Sequence, residues 1–230
     1  MTDAATAEAT TSAELAASRL RADIRTGALA PQKKLQLRFL CERYGMSSSP
    51  IREALSRLAS EGLVTAAGQR GFWVAAATAD DLYDILQFRT VVEGAALRIA
   101  CERGDERWEL GVVGAFHRLQ KHARRRDASG AWLDAWEPLH KAFHMALIAA
   151  CGSRRMQETS ARLYDDTERY RRLYWHYQFP TEALITEHRE LMEIVLACDA
   201  DAAQAAHRRH MDLTFEMLAK IVRGEEAEGA

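Results

Sequence analysis

The stretch from residue 37 to 74, LRFLCERYGMSSSPIREALSRLASEGLVTAAGQRGFWV, constrains the fold more than any other part of the chain. Its first eight residues read as a short helix that runs into a tight turn at Gly45. A second helix is expected over 48–60. There Ile51, Ala54, Leu55 and Leu58 recur at steps of three and four and form one buried stripe. Ser48, Arg52 and Ser56 fall one turn apart on the other side. Pro50 lies in the first turn, where a missing N–H costs little, and Ser47 or Ser49 can cap it. Gly62 can close it, because glycine tolerates the left-handed conformation common at helix ends. Strands follow over 64–66 and 72–74, with 68–71 as the hairpin tip. Helix, turn, helix, hairpin is the order of a winged helix-turn-helix.

That order suggests DNA as a partner. A helix N-terminus has free N–H groups that suit phosphate, and an arginine on a groove-facing helix can donate two hydrogen bonds to a guanine edge. Arg52 is placed for this, and Arg70, beside Gly71 at the hairpin tip, projects as a wing contact would. A polar helix face is also what an ordinary solvated hairpin presents, so the wing is what favours DNA. The net charge is −2, so binding has to come from a local patch. Arg38, Arg43, Arg52, Arg57, Arg70, Lys33 and Lys34 supply one.

The rest of the chain reads as helix. Residues 12–26 form a helix with Ser12 as cap and Leu15, Leu20 and Ile24 turned inward. Pro31 keeps 28–36 as a connector, and Thr78 caps a helix that starts near Asp80. Six or seven helices follow to residue 223, with no strand signal, punctuated by Gly130, Gly152 and Pro180. Their apolar positions include Leu82, Leu86, Ala96, Trp108, Leu110, Val113, Phe116 and Leu119. Short connectors between such helices imply an antiparallel bundle. The chain is therefore mostly α, with a disordered N-terminus (1–11), a winged domain (12–76) and an all-helical domain (80–223). Hydrophobic content of 48% suits two folded cores. Cys41, Cys101, Cys151 and Cys198 are far apart and lie in helical, apolar surroundings, as reduced buried thiols of a cytoplasmic protein do. No apolar run approaches the roughly 18–20 residues that span a bilayer, and residues 1–14 lack the basic and apolar parts of a signal peptide.

The bundle holds one constellation with chemistry. His140 and His144 are four apart and share a helix face. His188 and His210 lie on the two arms of a helical hairpin that turns near Asp199, so they can face each other, although His207 competes with His210 for the inward position. Four imidazoles converging in a bundle suit a borderline metal such as Zn or Ni. Paired histidines also arise by chance among eight, and His117, His122 and His176 have no evident partner. A histidine-lined metalloenzyme is an alternative. Glu137 and Glu187 precede His140 and His188, but neither completes an H-E-x-x-H pattern.

Ile24, Gly27, Leu29 and Pro31, followed by Ser47, Pro50, Ile51, Arg52, Glu53, Ala54, Leu55, Leu58, Glu61, Gly62 and Leu63, resemble the DNA-binding domain of GntR-family transcription regulators. The resemblance implies that Arg38, Ser48, Ser49, Arg52 and the wing at Arg70 and Gly71 face DNA, and that the chain is not an enzyme. Many members carry arginine where Ser48 stands, which leaves more of the recognition to Arg52 and Arg38. Arg89, Glu93 and Ala96, then Phe143, His144 and Leu147, then Glu187 and His188, then His210 and Met211, are similar to the FCD ligand-binding domain of the FadR subfamily. Such domains often hold a metal through an aspartate and three histidines. Here His140 takes the aspartate position, which favours Zn or Ni over a harder ion, or else turns the histidines toward an effector.

The string LHKAFHMALIAACGS, followed by LYDDTERYRRLY, resembles one branch more closely, the carbon-starvation-induced regulator (CsiR) type, which represses genes of glutarate and 4-aminobutyrate breakdown. That implies a homodimeric repressor released by a small dicarboxylate of the glutarate or 2-hydroxyglutarate class. Carboxylate recognition calls for arginine or metal in a dry pocket. Arg89, Tyr170 and Arg171 are the candidates, with Tyr164, Thr167 and Tyr174 nearby, unless the aromatic and basic residues of 168–179 form a solvated or dimer-contacting face. An effector-independent architectural DNA binder is a further alternative.

Overall fold

A computed structural model describes residues 11–67, 70–125, 130–175 and 181–223, with the side chains of Gly130 and 173–175 excepted. Of the N-terminus expected to be disordered (1–11), residues 1–10 lie outside them, as do the tip residues Gly68 and Gln69 and His176, while Thr11 is ordered as a helix cap. The chain forms two compact units, Met1–Ala76 and Ala77–Ala230.

The first unit contains α1 (Ser12–Arg25), β1 (Lys34–Leu35), α2 (Leu37–Tyr44), α3 (Ser48–Ser60), β2 (Val64–Ala66) and β3 (Phe72–Val74). Both helices of the helix-turn-helix and both hairpin strands have the expected bounds. Gly45 (φ +65°) makes the turn after α2 and Gly62 (φ +78°) follows the end of α3, both in the left-handed region that disfavours a side chain. Leu20 and Ile24 of α1 pack with Ile51, Ala54, Leu55 and Leu58 of α3 in one core. Asp23 accepts from Arg43 Nε and Tyr44 Oη, each at 2.7 Å, and so ties α1 to α2.

Four details differ from expectation. The cap of α1 is Thr11, whose hydroxyl accepts from the Glu14 N–H while Glu14 accepts from the Thr11 N–H, a reciprocal pair that Ser12 cannot make from inside the helix. Leu15 is exposed, because it lies on the outer face of α1 while Ala16 and Ala17 beside it turn into the core. The connector before α2 contributes a strand: β1 pairs with β3, Lys34 opposite Trp73 and Leu35 opposite Phe72, giving an antiparallel sheet in the order β1-β3-β2. Ser47 precedes α3 without making a side-chain cap.

The described elements of the second unit are all helical: α4 (Ala79–Arg103), α5 (Glu106–Ala123), α6 (Gly130–Leu147), a 3-10 turn (Ala149–Cys151), α7 (Arg154–Trp175), α8 (Thr181–Leu196) and α9 (Ala200–Val222). Thr78 caps α4 as expected, accepting from the Asp81 N–H. Asp105 and Asp199 cap α5 and α9 in the same way. The expected helix over 132–151 breaks into α6 and the short turn. Gly130, expected as a boundary, is the first residue of α6. Helix α4 runs through the middle, packed on α7 and α9, while α5 packs on α6 and α8.

Leu82, Leu86, Ala96, Trp108, Phe116 and Leu119 are buried as expected, but Leu110 and Val113 lie on the outer face of α5. Cys101 and Cys151 are buried and Cys41 is half-buried. Cys198 is exposed in the turn between α8 and α9, at φ +57°, which corrects the expectation of a buried helical thiol.

Candidate functional site

Helix α6 builds the site by its period. Trp132, Trp136, His140 and His144 are successive steps of four and form one ladder of rings. Trp132 stacks on Trp136 with centroids 5.0 Å apart, and Trp136 meets His140 at 5.6 Å. The ladder ends among histidines from α8 and α9. His140 Nε2 lies 2.7 Å from His188 Nε2 and 3.0 Å from His144 Nε2. The His210 ring is 4.8 Å from that of His188 and 5.1 Å from that of His144. All four are buried. The sequence-predicted constellation is thus brought together.

Acceptor-only partners assign one ring proton each on His188 and His210. His188 Nδ1 faces the Leu184 carbonyl at 2.7 Å, which can only accept, so its proton is on Nδ1 and Nε2 is bare. His210 Nδ1 donates to Glu187 Oε1 at 2.8 Å, which leaves its Nε2 bare. The Tyr164 hydroxyl lies 2.7 Å from His140 Nδ1 and 3.3 Å from Glu137 Oε2. His140 Nε2 lies 2.7 Å from the bare Nε2 of His188, an approach that needs either an N–H donated by His140 or a cation shared by the two nitrogens. Protonating them is opposed. Burial, reinforced by neighbouring positive charge, holds the His140 and His144 pKa values well below the usual histidine range, and burial takes His188 down to about 3. Imidazoles presenting bare nitrogen inward and N–H outward to oxygen acceptors are what a metal requires. His140, His144 and His188 can converge on one ion, and so can Glu187, His188 and His210.

Around this centre runs a buried charge network. Tyr164, Thr167 and Arg171 of α7 project into it. The Tyr164 ring takes the Arg171 guanidinium at 4.1 Å and that of Arg89 at 5.3 Å. Arg171 donates to both oxygens of Glu137, the shortest contact being 2.7 Å, and both side chains are 5% exposed. Arg89 donates to Glu93 at 2.8 and 3.2 Å and to the Thr167 hydroxyl at 3.4 Å. Glu93 also binds His207 Nε2 at 2.8 Å. Burial works against the Glu93 charge, but Arg89 and His207 outweigh it and hold its pKa down to about 2. Burial likewise opposes the Arg171 charge and Glu137 outweighs it. Each arginine is therefore already matched by one carboxylate.

His207 does not compete with His210. Both are buried, one on Glu93 and the other on the histidine centre. His122 is not without partners: its Nε2 lies 2.9 Å from the Trp132 carbonyl and its ring stacks on Trp132. His117 is exposed. Tyr170 is placed elsewhere. It and Arg169 bind Asp81 in the first turn of α4, so Tyr170 is not among the histidines. Sequence reasoning missed Glu93 and Glu137 as the partners of Arg89 and Arg171. The R-x-x-x-E spacing of Arg89 and Glu93 could have revealed the first, since residues four apart on a helix pair naturally.

In the first unit Ser48, Ser49, Arg52 and Arg70 are exposed, and Gly71 (φ +109°) shapes the turn into β3. Arg52 and Ser56 form one solvent face with Ser48. Arg38 is also exposed, although Glu42 accepts from its Nε at 3.0 Å. Arg43 and Arg57 pair with Asp23 and Glu61, which weakens the basic patch expected from sequence. No described helix is long and apolar enough to cross a membrane.

Residues 12–74 match the gntR family of bacterial regulatory proteins, and 84–213 match the FCD domain. The chain is 34% identical over 209 residues to the HTH-type transcriptional repressor GlaR of Escherichia coli (strain K12), covering 89% of this chain and 94% of that one. It is 37% identical over 201 residues to the HTH-type transcriptional regulator BphR of Paraburkholderia xenovorans (strain LB400), covering 87% and 82%. Among solved structures, that of E. coli McbR/YncC superposes with a TM-score of 0.74 at 20% identity over 92% of this chain and 99% of that one, a likeness of fold.

Proposed function

The chain belongs to the GntR family of bacterial transcriptional regulators, with an FCD domain behind its DNA-binding unit, and from that premise we infer a homodimeric repressor that a small dicarboxylate releases from its operator. The observation that carries the effector half is Tyr164. One buried residue touches His140 through its hydroxyl and stacks against both Arg89 and Arg171 through its ring. A dicarboxylate of the glutarate or 2-hydroxyglutarate class, set against these arginines, would compete with Glu93 and Glu137 for their N–H groups. The name of GlaR, a repressor, supports the sign of regulation. The bare ring nitrogens fit a divalent metal, and His140, His144, His188 and His210 would hold it. Four nitrogen donors suit Zn or Ni. Such an ion would supply a fixed positive charge facing the carboxylate. The protein's own residues do the rest: Glu187, Tyr164 and the Leu184 carbonyl orient the imidazoles, and the surrounding core excludes water.

At the DNA, Arg52 reads base edges while Arg38, Ser48, Ser49, Arg70 and the turn at Gly71 hold the backbone. One winged unit covers one half-site, so two copies are needed. Phe88 and Val91 on α4 are exposed apolar surface that a second copy can cover. Such a protein acts in the cytoplasm, with its operator. Effector binding releases DNA only if the effector binds the DNA-free arrangement more tightly.

Arg52→Ala tests the division of labour. It is expected to weaken binding to the promoter fragment beside the gene by about 1–3 kcal/mol, about tenfold or more, as loss of a bidentate base contact does. Thermal stabilisation by glutarate should be unchanged. Equal operator affinity in the variant would remove Arg52 from the interface.

A further inference from the structure

Between α8 and α9 lies a groove of about 470 Å³, lined by Ala183, Leu184, Thr186, Glu187, Glu190, Leu213 and Met217. Its floor and the histidine centre share a wall. Leu184, on the groove, accepts from His188. Glu187, also on the groove, binds His210 through Oε1, and its side chain remains 28% exposed. Its second oxygen has no hydrogen-bond donor among the described residues. Glu190, one turn further along α8, is exposed beside it. The histidines themselves are buried, and the apolar ladder of α6 and the two arginine–carboxylate pairs flank them elsewhere. Among the described residues, the α8–α9 groove brings solvent within one side chain of the centre, and both ionisable residues that line it are acidic.

The second set of convergent ligand atoms lies at this wall. Glu187, His188 and His210 can hold an ion together, and they share His188 with the inner set of His140, His144 and His188. The two sets overlap at His188.

We propose that a divalent cation reaches the histidine centre through the α8–α9 groove, drawn by Glu190 and Glu187, and that Glu187, His188 and His210 hold it in an outer position before His140 and His144 complete the inner one. The proposal rests on the metal reading above and adds to it a route and a second site. Glu187 then has two roles: it orients His210 in the loaded protein and it ligates the ion in passage.

The test is rapid mixing of metal-free full-length protein with Zn2+ alone, uptake being followed with a chromophoric zinc indicator and release with excess chelator. Glu190→Gln is expected to slow uptake and release together by about three- to tenfold, because a charge along the route lowers the barrier in both directions. Glu187→Gln keeps the oxygen that accepts from His210 and should slow both further. Glu102→Gln, exposed at the end of α4 and outside the groove, should change neither. Final stoichiometry should match the unaltered protein in Glu190→Gln and Glu102→Gln. If Glu187→Gln only speeds release, Glu187 merely orients His210 and the outer site is wrong. If Glu190→Gln takes up Zn2+ at the unaltered rate, the route is wrong while the metal reading stands. If the unaltered chain takes up no Zn2+, both fall.

Discussion

Glu137→Ala is expected to destabilise the helical unit by about 3–5 kcal/mol, the usual cost of leaving one partner of a buried ion pair uncompensated. Glu137 and Arg171 are both 5% exposed, and Arg171 donates to both carboxylate oxygens. Removing the carboxylate strands a guanidinium that the bundle cannot hydrate. It also takes one partner from the Tyr164 hydroxyl, which touches His140 as well. Replacing both partners together, Glu137→Leu with Arg171→Met, removes two charges at once. It should recover most of the stability while abolishing the response to glutarate. Urea denaturation of the full chain, followed through the bundle tryptophans, measures both. A loss of less than about 1 kcal/mol in Glu137→Ala would mean that water reaches Arg171. The contrast between the single and the paired variant separates a structural ion pair from an effector contact. Only the second predicts a stable protein deaf to the ligand.

Lowering the pH from 7 to 5 is expected to destabilise the metal-free protein by several kcal/mol. His140, His144, His188 and His207 all have pKa values depressed by burial, His188 to about 3. In the unfolded chain they titrate near 6.5. The folded state therefore binds fewer protons than the unfolded state below that value. Stability is fully present above about pH 6.5 and falls as the pH drops, by up to about 1.4 kcal/mol per unit for each histidine until its folded pKa is reached. Asp166 acts in the opposite sense. Burial raises its pKa to about 6, so its contribution is regained as pH falls through 6, but it is one group against four. Bound metal steepens the dependence, because protons and metal compete for the same nitrogens. Thermal midpoints across this range, with and without chelator, measure the effect. A flat profile would show that the imidazoles are hydrated or already charged.

Much of this was legible from residues alone, for stated reasons. The helices of the winged unit have short, strict apolar periods and glycine stops at Gly45 and Gly62, so their bounds followed directly. Strand β1 was hidden because two residues, Lys34 and Leu35, carry no alternation, and only their pairing with Phe72 and Trp73 makes them a strand. Leu110 and Val113 misled because α5 is apolar on more than one side, and periodicity does not say which side is covered. The histidine centre was readable from a spacing of four and a helical hairpin. The carboxylates were harder. Arg89 and Glu93 at i, i+4 look like an ordinary surface pair, and only the packing of α4 between α7 and α9 buries them. Tyr170 lies beside Arg171 in sequence but faces Asp81, since neighbouring residues on a helix point about 100° apart.

The most direct test of a ligand-released repressor is the affinity of the full-length chain for the promoter fragment beside its gene, measured at fixed salt while glutarate is titrated in. The account predicts that saturating glutarate weakens the complex by about 5- to 150-fold, the range of typical coupling between two sites. It further predicts that the effect is lost in the paired Glu137→Leu, Arg171→Met variant. Operator affinity that neither glutarate nor 2-hydroxyglutarate moves, in a protein that binds the fragment tightly, would contradict it.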